Sequence, residues 1–294
     1  MSAASAVLFR FLRPVTLPAP MAGVLGGAVA AAGGWPADLA RLVAAIASAV
    51  LLTGASNGIN QIADLETDRI NRPERPLPSG RMGIGEAWVW VGLLTVASFA
   101  LAAWVNLPYF VCVAITLPLT AAYSLPPTRT KRVPFLANVT IAVPRGLLLV
   151  VAGWAVGGGW ERSEAWILGG LAFLYVFGAS ITKDFGDVEG DRATGCLSLP
   201  ILWGPQRAAR FVAPFLVAPF VAYPLFALAG WLPGGALAWC CLGLPLALLG
   251  LRAALLLVRH PMPPEDGSPH RAWGLMYLQL TLAHLGSGVL FSLV

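Results

Sequence analysis

Charge is scarce in this chain. Among 294 residues, 14 are Asp or Glu and 19 are Lys or Arg, so charged side chains make up 11%, less than half of the roughly 25% found in soluble domains. Apolar residues supply 57% and the mean hydropathy is +0.75, which excludes a soluble globular domain. Cysteine and histidine are also few. Cys112, Cys196, Cys240 and Cys241 show no C-x-x-C spacing and three of them fall in apolar runs, so neither a disulfide framework nor a zinc site is expected. His260, His270 and His284 lack metal-ligand spacing. No Gly-x-x-x-x-Gly-Lys-[Ser/Thr] loop occurs, which argues against an ATP-handling site. The first apolar segment continues into a second without a convincing Ala-x-Ala cleavage site, so no removable signal peptide is expected. No long linker or low-complexity block divides residues 1–294, which read as one polytopic membrane domain.

What fills the chain is apolar runs of membrane-spanning length. They predict an all-α integral membrane protein with about nine transmembrane helices, at roughly 17–33, 40–62, 85–104, 108–124, 135–157, 164–182, 209–230, 235–258 and 273–294. Residues 3–12 are compatible with a short amphipathic helix lying on the membrane. Basic residues set the orientation. Arg10, Arg13, the 69–81 loop, the 129–132 loop, Lys183, Arg192 and the later loop arginines fall on one side, against Arg41 and Arg162 in the opposite loops. By the positive-inside rule the N-terminus lies in the cytoplasm and, with nine spans, the C-terminus lies outside a cell (inner or plasma) membrane. The net charge of +5 is then a topology signal, and no nucleic-acid partner is expected.

Two polar islands interrupt this background. The first, NGINQIADLETDRINRPERPLPSG (57–80), spaces Asn60, Asp64 and Asp68 by four, which on an α-helix aligns them down one face. Carboxylates at i and i+4 repel by about 0.2–0.5 kcal/mol in water, and by more near a membrane unless a cation sits between them. The stripe reads as an oxygen-ligand site for Mg²⁺. Pro73, Pro76 and Pro78 then forbid a continuous helix and make 69–83 a structured loop, capped at Ser79-Gly80. The second island, SITKDFGDVEGDRATGCLSLP (180–200), sets Asp184, Asp187 and Asp191 at i, i+3 and i+7, again one helical face, with Glu189 turned to solvent. Gly186 and Gly190 leave room for a ligand or another helix to come close.

Both islands end even-numbered spans, the second and the sixth, on the same side, so they are expected to face one another. Converging carboxylates call for divalent cations, and basic residues of the intervening loops add an anion site. Carboxylates, Mg²⁺ and Arg or Lys together are the chemistry of a diphosphate: metal neutralises the leaving oxygen and the basic groups clamp the rest. At a membrane surface with an apolar bundle behind, this points to a lipid diphosphate. The loop YSLPPTRTKRVP (123–134) holds Arg129, Lys131 and Arg132, which read either as topology anchors or as part of that anion site. Arg145 falls about ten residues into the fifth span, so it either faces a polar cavity or marks a span that begins later.

The series N-x-x-x-D-x-x-x-D, R-I-N-R-P-x-R-P-L-P-S-G, Y-S-x-P-P and K-D-x-x-D-V-E-G-D-R, in this order, resembles the UbiA superfamily of intramembrane prenyltransferases. The match runs from Arg13-Pro14 through the last helices. It implies a bundle of nine helices around a central cavity open to the bilayer and its lipids. It also implies Mg²⁺-dependent loss of diphosphate from a polyprenyl diphosphate such as geranylgeranyl diphosphate, and attack of an acceptor on the allylic cation. By position, the resemblance gives Asn60, Asp64, Asp68, Asp187 and Asp191 catalytic roles and, with Asp184, makes them metal ligands. It puts Arg72, Arg75, Tyr123, Lys131, Arg132 and Lys183 at the diphosphate, joined by Arg145 from its depth in the fifth span.

Asn60-Gln61, Pro-Leu-Pro-Ser-Gly and Arg145-Gly146 are similar to homogentisate prenyltransferases, so the first expectation is a lipophilic aromatic or quinol-type acceptor. DVEGDRATGCLSLPILWG is also similar to chlorophyll synthases and to archaeal-type glyceryl-phosphate geranylgeranyltransferases, so chlorophyllide and glyceryl phosphate stand as alternatives. A terpene cyclase of the same superfamily would ionise the same donor without an acceptor. An ion or metabolite transporter would line a pathway with the same acids, but here the charge clusters at one membrane face. His284 in the last span is a candidate proton acceptor, although a lone helical histidine is more often structural.

Overall fold

The computed structural model describes residues 3–264 and 270–294, and among these every regular element is helical. The first helix, α1 (Ala3–Leu12), ends at Arg13, whose φ of 54° turns the chain through a 3₁₀ turn into α2 (Pro18–Ala32). With 15 residues, α2 rises only about 22 Å and is too short to cross alone. It reaches spanning length together with Ser5–Thr16, from which it is bent by 54°. Among the described residues, eight helical segments are long and apolar enough to cross a membrane, and the bent pair, taken as one span, makes the ninth that was expected.

The chain continues through α3 (Leu39–Ala63), the short α4 (Leu65–Asn71), α5 (Ile84–Val105) and α6 (Leu107–Ser124). The fifth expected span is α7 (Leu136–Ala142) and α8 (Leu149–Val156), fused through a wide π-helical turn at Val143–Leu148. Then come α9 (Ser163–Ala179), α10 (Val188–Ala193), α11 (Leu199–Trp203), α12 (Pro205–Leu228), α13 (Gly235–Arg259) and α14 (Arg271–Ser292). Polar side chains set several starts. Asp38 accepts the Arg41 amide at 2.9 Å and Asn106 accepts that of Tyr109 at 2.9 Å, each satisfying an N–H that the helix leaves free.

Packing follows from small residues. At Gly26 an added Cβ would lie 2.1 Å from the His284 carbonyl oxygen, and at Gly27 one would lie 2.8 Å from Gly153 Cα. Glycine lets α2 sit directly against α8 and α14, the way helices associate where lipid offers no hydrophobic contrast. One apolar core joins α8, α9 and α12–α14 around Trp154, Leu216, Phe220 and Trp239. A second joins α2, α3, α5, α6 and α8 around Val24, Leu52 and Tyr109. A third packs Leu77 and Met82 of the proline-rich loop against Phe11, Ile59 and Val91, which gives that loop a fixed conformation. Its turn closes as expected: Ser79 Oγ donates to the Arg75 carbonyl at 2.6 Å and Gly80 takes a φ of 71°. Both polar islands lie at one end of the bundle, and a cavity of about 740 Å³ runs inward from them.

Candidate active site

Each acidic stripe is bent, not straight. Helix α3 stops at Ala63, and Asp64 (φ −102°, ψ 12°) starts α4. The second island is a 3₁₀ helix over Ser180–Gly186, after which Asp187 (φ −115°, ψ 4°) starts α10. The expectation of one continuous helical face is corrected in both islands: the middle aspartate is the hinge. Bending there folds α4 and α10 over the mouth of the cavity and against each other.

Their contact is reciprocal. Thr67 Oγ1 and Thr194 Oγ1 lie 3.0 Å apart, while Asn71 Oδ1 accepts from the Gly190 amide at 3.0 Å and Asn71 Nδ2 donates to the Asp187 carbonyl at 3.2 Å. Counted from the two hinges, Thr67 corresponds to Gly190 and Asn71 to Thr194. Each therefore meets the counterpart of the other, the signature of an approximate two-fold axis. A Cβ at Gly190 would lie 2.5 Å from Asn71, so the space this glycine leaves is taken by the asparagine.

The acids are paired with bases. Lys131 Nζ contacts Asp64, whose other carboxylate oxygen accepts from Asn60 at 2.8 Å, and Arg129 lies 3.5 Å away. Arg75 donates to both Asp68 oxygens at 2.7 Å. Arg72 lies 3.4 Å from Asp187, and Lys183 is 2.6 Å from Asp184. Asp191 lies in the field of Lys183 and Lys131. Five carboxylates thus share the site with five cations. Burial pushes the Asp68 carboxyl up against the pull of Arg75, and it raises Asp191 to about 6. Among the described residues no three acids are gathered closely enough to form a ready-made cation site. The donor set is all oxygen, the kind Mg²⁺ takes, but those oxygens now face Lys and Arg.

Most of the remaining expected residues line the same cavity. Tyr123 is 9% exposed and its ring lies 5.8 Å from Lys183 Nζ. Arg145 sits in the π-helical turn and lines the cavity, so the reading of a span that begins later is set aside. Glu189 is exposed, as expected. Arg132 is not brought in: it is exposed and outside the cavity lining. In the 3₁₀ turn Thr130–Arg132 successive side chains diverge by about 120°, so Lys131 points inward and Arg132 outward. His284 is also elsewhere, buried beside Gly26 and lining a separate small void with Trp154 and Tyr223.

Two residues at the site escaped the sequence reading: Asn71 ties the two islands, and Arg13 lines the cavity within the field of Arg75, Arg145 and Asp68. Arg129, read as a topology anchor or as part of the anion site, reaches Asp64. Asn71 lies three residues beyond Asp68, on the same helical face, and extending the stripe would have found it.

Behind the charged mouth the cavity is walled by residues of α3, α6 and α8, among them Leu52, Val113, Thr116 and Ala152. Trp273, Met276 and Tyr277 of α14 also line it, with Arg13 and Arg145 close to Tyr277. A doubly charged mouth with apolar walls behind it suits amphiphiles with anionic heads.

Comparison with known proteins agrees. The profile of the UbiA prenyltransferase family matches residues 21–278. A digeranylgeranylglyceryl phosphate synthase of Thermococcus kodakarensis is 34% identical over 266 residues, covering 90% of each chain. The bacteriochlorophyll synthase 34 kDa chain of Chloroflexus aurantiacus is 32% identical over 208 residues, covering 69% of this chain and 66% of that one. Among solved structures, a UbiA homolog from Archaeoglobus fulgidus bound to GPP and Mg²⁺ superposes with a TM-score of 0.75 over 97% of this chain and 99% of that one, at 22% identity. The chain belongs to the UbiA prenyltransferase family. It is an integral membrane enzyme that transfers an isoprenoid chain from a prenyl diphosphate.

Proposed function

We propose that the protein transfers a polyprenyl chain to an acceptor that carries its own anionic group, of the glycerol-phosphate lipid class. The observation that carries this reading is a pair of cavity-lining arginines, Arg13 and Arg145, left over when the other cations have paired with carboxylates. Arg13 and Arg145 form no ion pair with a carboxylate among the described residues, and they line the cavity near Tyr277 of α14. Positive charge facing a cavity within an apolar bundle is costly without a counter-ion, and an acceptor phosphate beside the donor diphosphate would supply one. The synthase of Thermococcus kodakarensis, named for a glyceryl phosphate product, supports the same class. Arg145 is accordingly assigned to the acceptor and no longer to the diphosphate.

Asn60, Asp64, Asp68, Asp184, Asp187 and Asp191 are the residues that would hold Mg²⁺, the ion found with the Archaeoglobus fulgidus homolog. When bound, the metal supplies neutralisation of the departing diphosphate oxygens. Arg72, Arg75, Lys131 and Lys183 are already at the mouth and would exchange their carboxylates for non-bridging oxygens of the donor, where charge-assisted hydrogen bonds are strongest. Tyr123 closes that end, and the apolar walls keep water from the allylic cation. The positive-inside pattern supports a cytoplasmic mouth, with the N-terminus inside and the C-terminus outside.

The test uses purified protein in detergent with Mg²⁺ and radiolabelled geranylgeranyl diphosphate. Parallel tubes contain a geranylgeranylglyceryl phosphate, homogentisate, a chlorophyllide, or no acceptor. A labelled adduct in the phosphate-lipid tube is expected. An adduct only with homogentisate or chlorophyllide overturns the acceptor assignment, and a cyclised hydrocarbon without acceptor identifies a cyclase.

A further inference from the structure

The residue of α6 that lines the cavity farthest from the charged mouth is held fixed. One face of α6 lines the cavity from Tyr123 at the charged mouth, through Thr120, Thr116 and Val113, to Tyr109. The two tyrosines are fourteen residues apart, about 21 Å at the rise of an α-helix. Tyr109 is 1% exposed, and its hydroxyl donates to the Ala45 carbonyl of α3 at 2.6 Å. Its amide bonds to Asn106 Oδ1 at 2.9 Å, and the Asn106 side chain donates to the Ala155 carbonyl of α8 at 2.9 Å. Tyr109 belongs to the same core as Leu42, Ala102 and Val105. The ring is therefore braced from three helices and backed by packed side chains, a plug with no free rotation.

An isoprene unit adds four backbone bonds, about 5 Å at the ~1.2 Å per bond of an extended chain. A channel of ~21 Å therefore takes about four units between the diphosphate and the Tyr109 ring. We propose that Tyr109 sets the length of the donor, admitting a chain of four isoprene units and rejecting longer ones. The inference rests on the prenyltransferase reading and adds to it the size of the group transferred.

The test measures calorimetric binding of non-hydrolysable thiolodiphosphates with three, four and five isoprene units to the purified full chain in Mg²⁺. Wild type should bind the four-unit analogue best. Tyr109→Ala should raise the five-to-four affinity ratio about tenfold or more, the usual worth of fitting or misfitting a few apolar carbons. Tyr109→Phe, which keeps the ring, should leave the ratio at the wild-type value. Val113→Phe, one turn nearer the mouth, works in the opposite direction and should raise the three-to-four ratio by a similar factor. Wild-type ratios in Tyr109→Ala overturn the proposal. If Tyr109→Ala does not fold, Val113→Phe decides, and an unchanged ratio there overturns it. A wild-type protein that binds no analogue overturns the prenyltransferase reading instead, so the two failures are distinct.

Discussion

Replacing Asn71 with alanine should loosen the contact between the two acidic islands while leaving the bundle beneath them unchanged. The substitution removes two hydrogen bonds, to the Gly190 amide at 3.0 Å and to the Asp187 carbonyl at 3.2 Å. Each contributes about 0.5–1.5 kcal/mol; a combined loss of ~2 kcal/mol corresponds to a factor of ~30 in the docking equilibrium of α4 and α10. The Thr67–Thr194 contact at 3.0 Å survives, so the helices part more often without separating for good. The large cores around Trp154 and Tyr109 do not involve Asn71, so global stability should hardly move. Hydrogen exchange followed by mass spectrometry reads this directly. Peptides covering 64–72 and 187–195 should exchange roughly 30-fold faster, with peptides from α12 and α13 unchanged. Affinity for a prenyl diphosphate should fall in parallel. Gly190→Ala approaches the same contact from the other side, since its Cβ would lie 2.5 Å from Asn71. Wild-type exchange over 187–195 in both variants would refute the idea that this pair joins the islands.

Other outcomes follow from the pairing of charges. Asp64→Ala or Asp191→Ala should abolish turnover yet leave membrane insertion intact, and a normal rate in either variant would remove it from the assigned ligand set. EDTA should silence the enzyme and excess Mg²⁺ restore it. Because burial raises Asp191 to about 6, a proton competes with the cation below that pH, so apparent Mg²⁺ affinity should fall as pH drops from about 6 and level off above it. Calorimetric titration at several pH values checks the direction. Arg145→Ala should raise the acceptor KM about tenfold or more, the loss of one charge-assisted contact, with donor affinity kept. A matching loss of donor affinity would return Arg145 to the diphosphate.

Much of this was legible in the sequence, for physical reasons. Apolar runs long enough to cross a bilayer report helices directly, because a spanning backbone must satisfy its own hydrogen bonds. The hinges at Asp64 and Asp187 were not legible, since i, i+4 spacing is the same on a straight helix as on one that pivots at its middle residue. The bend between Thr16 and Pro18 was missed because hydropathy counts residues and does not see direction. Arg132 was placed in the site together with Lys131 by the family resemblance, whereas a 3₁₀ turn sends the two neighbours apart. Arg145 was legible from its depth alone, because a charge that far into a span needs a polar cavity.

Five carboxylates set against five cations also bear on how the protein is made. A cluster of bare acids would be costly to bury during membrane insertion and would oblige the chain to capture metal as it folds. Here four of the five carboxylates pair with Lys or Arg of the same polypeptide and the fifth, Asp191, lies in the field of two lysines, so assembly can finish without any ion. Supply of divalent cation then governs how fast the enzyme works and not how much of it accumulates.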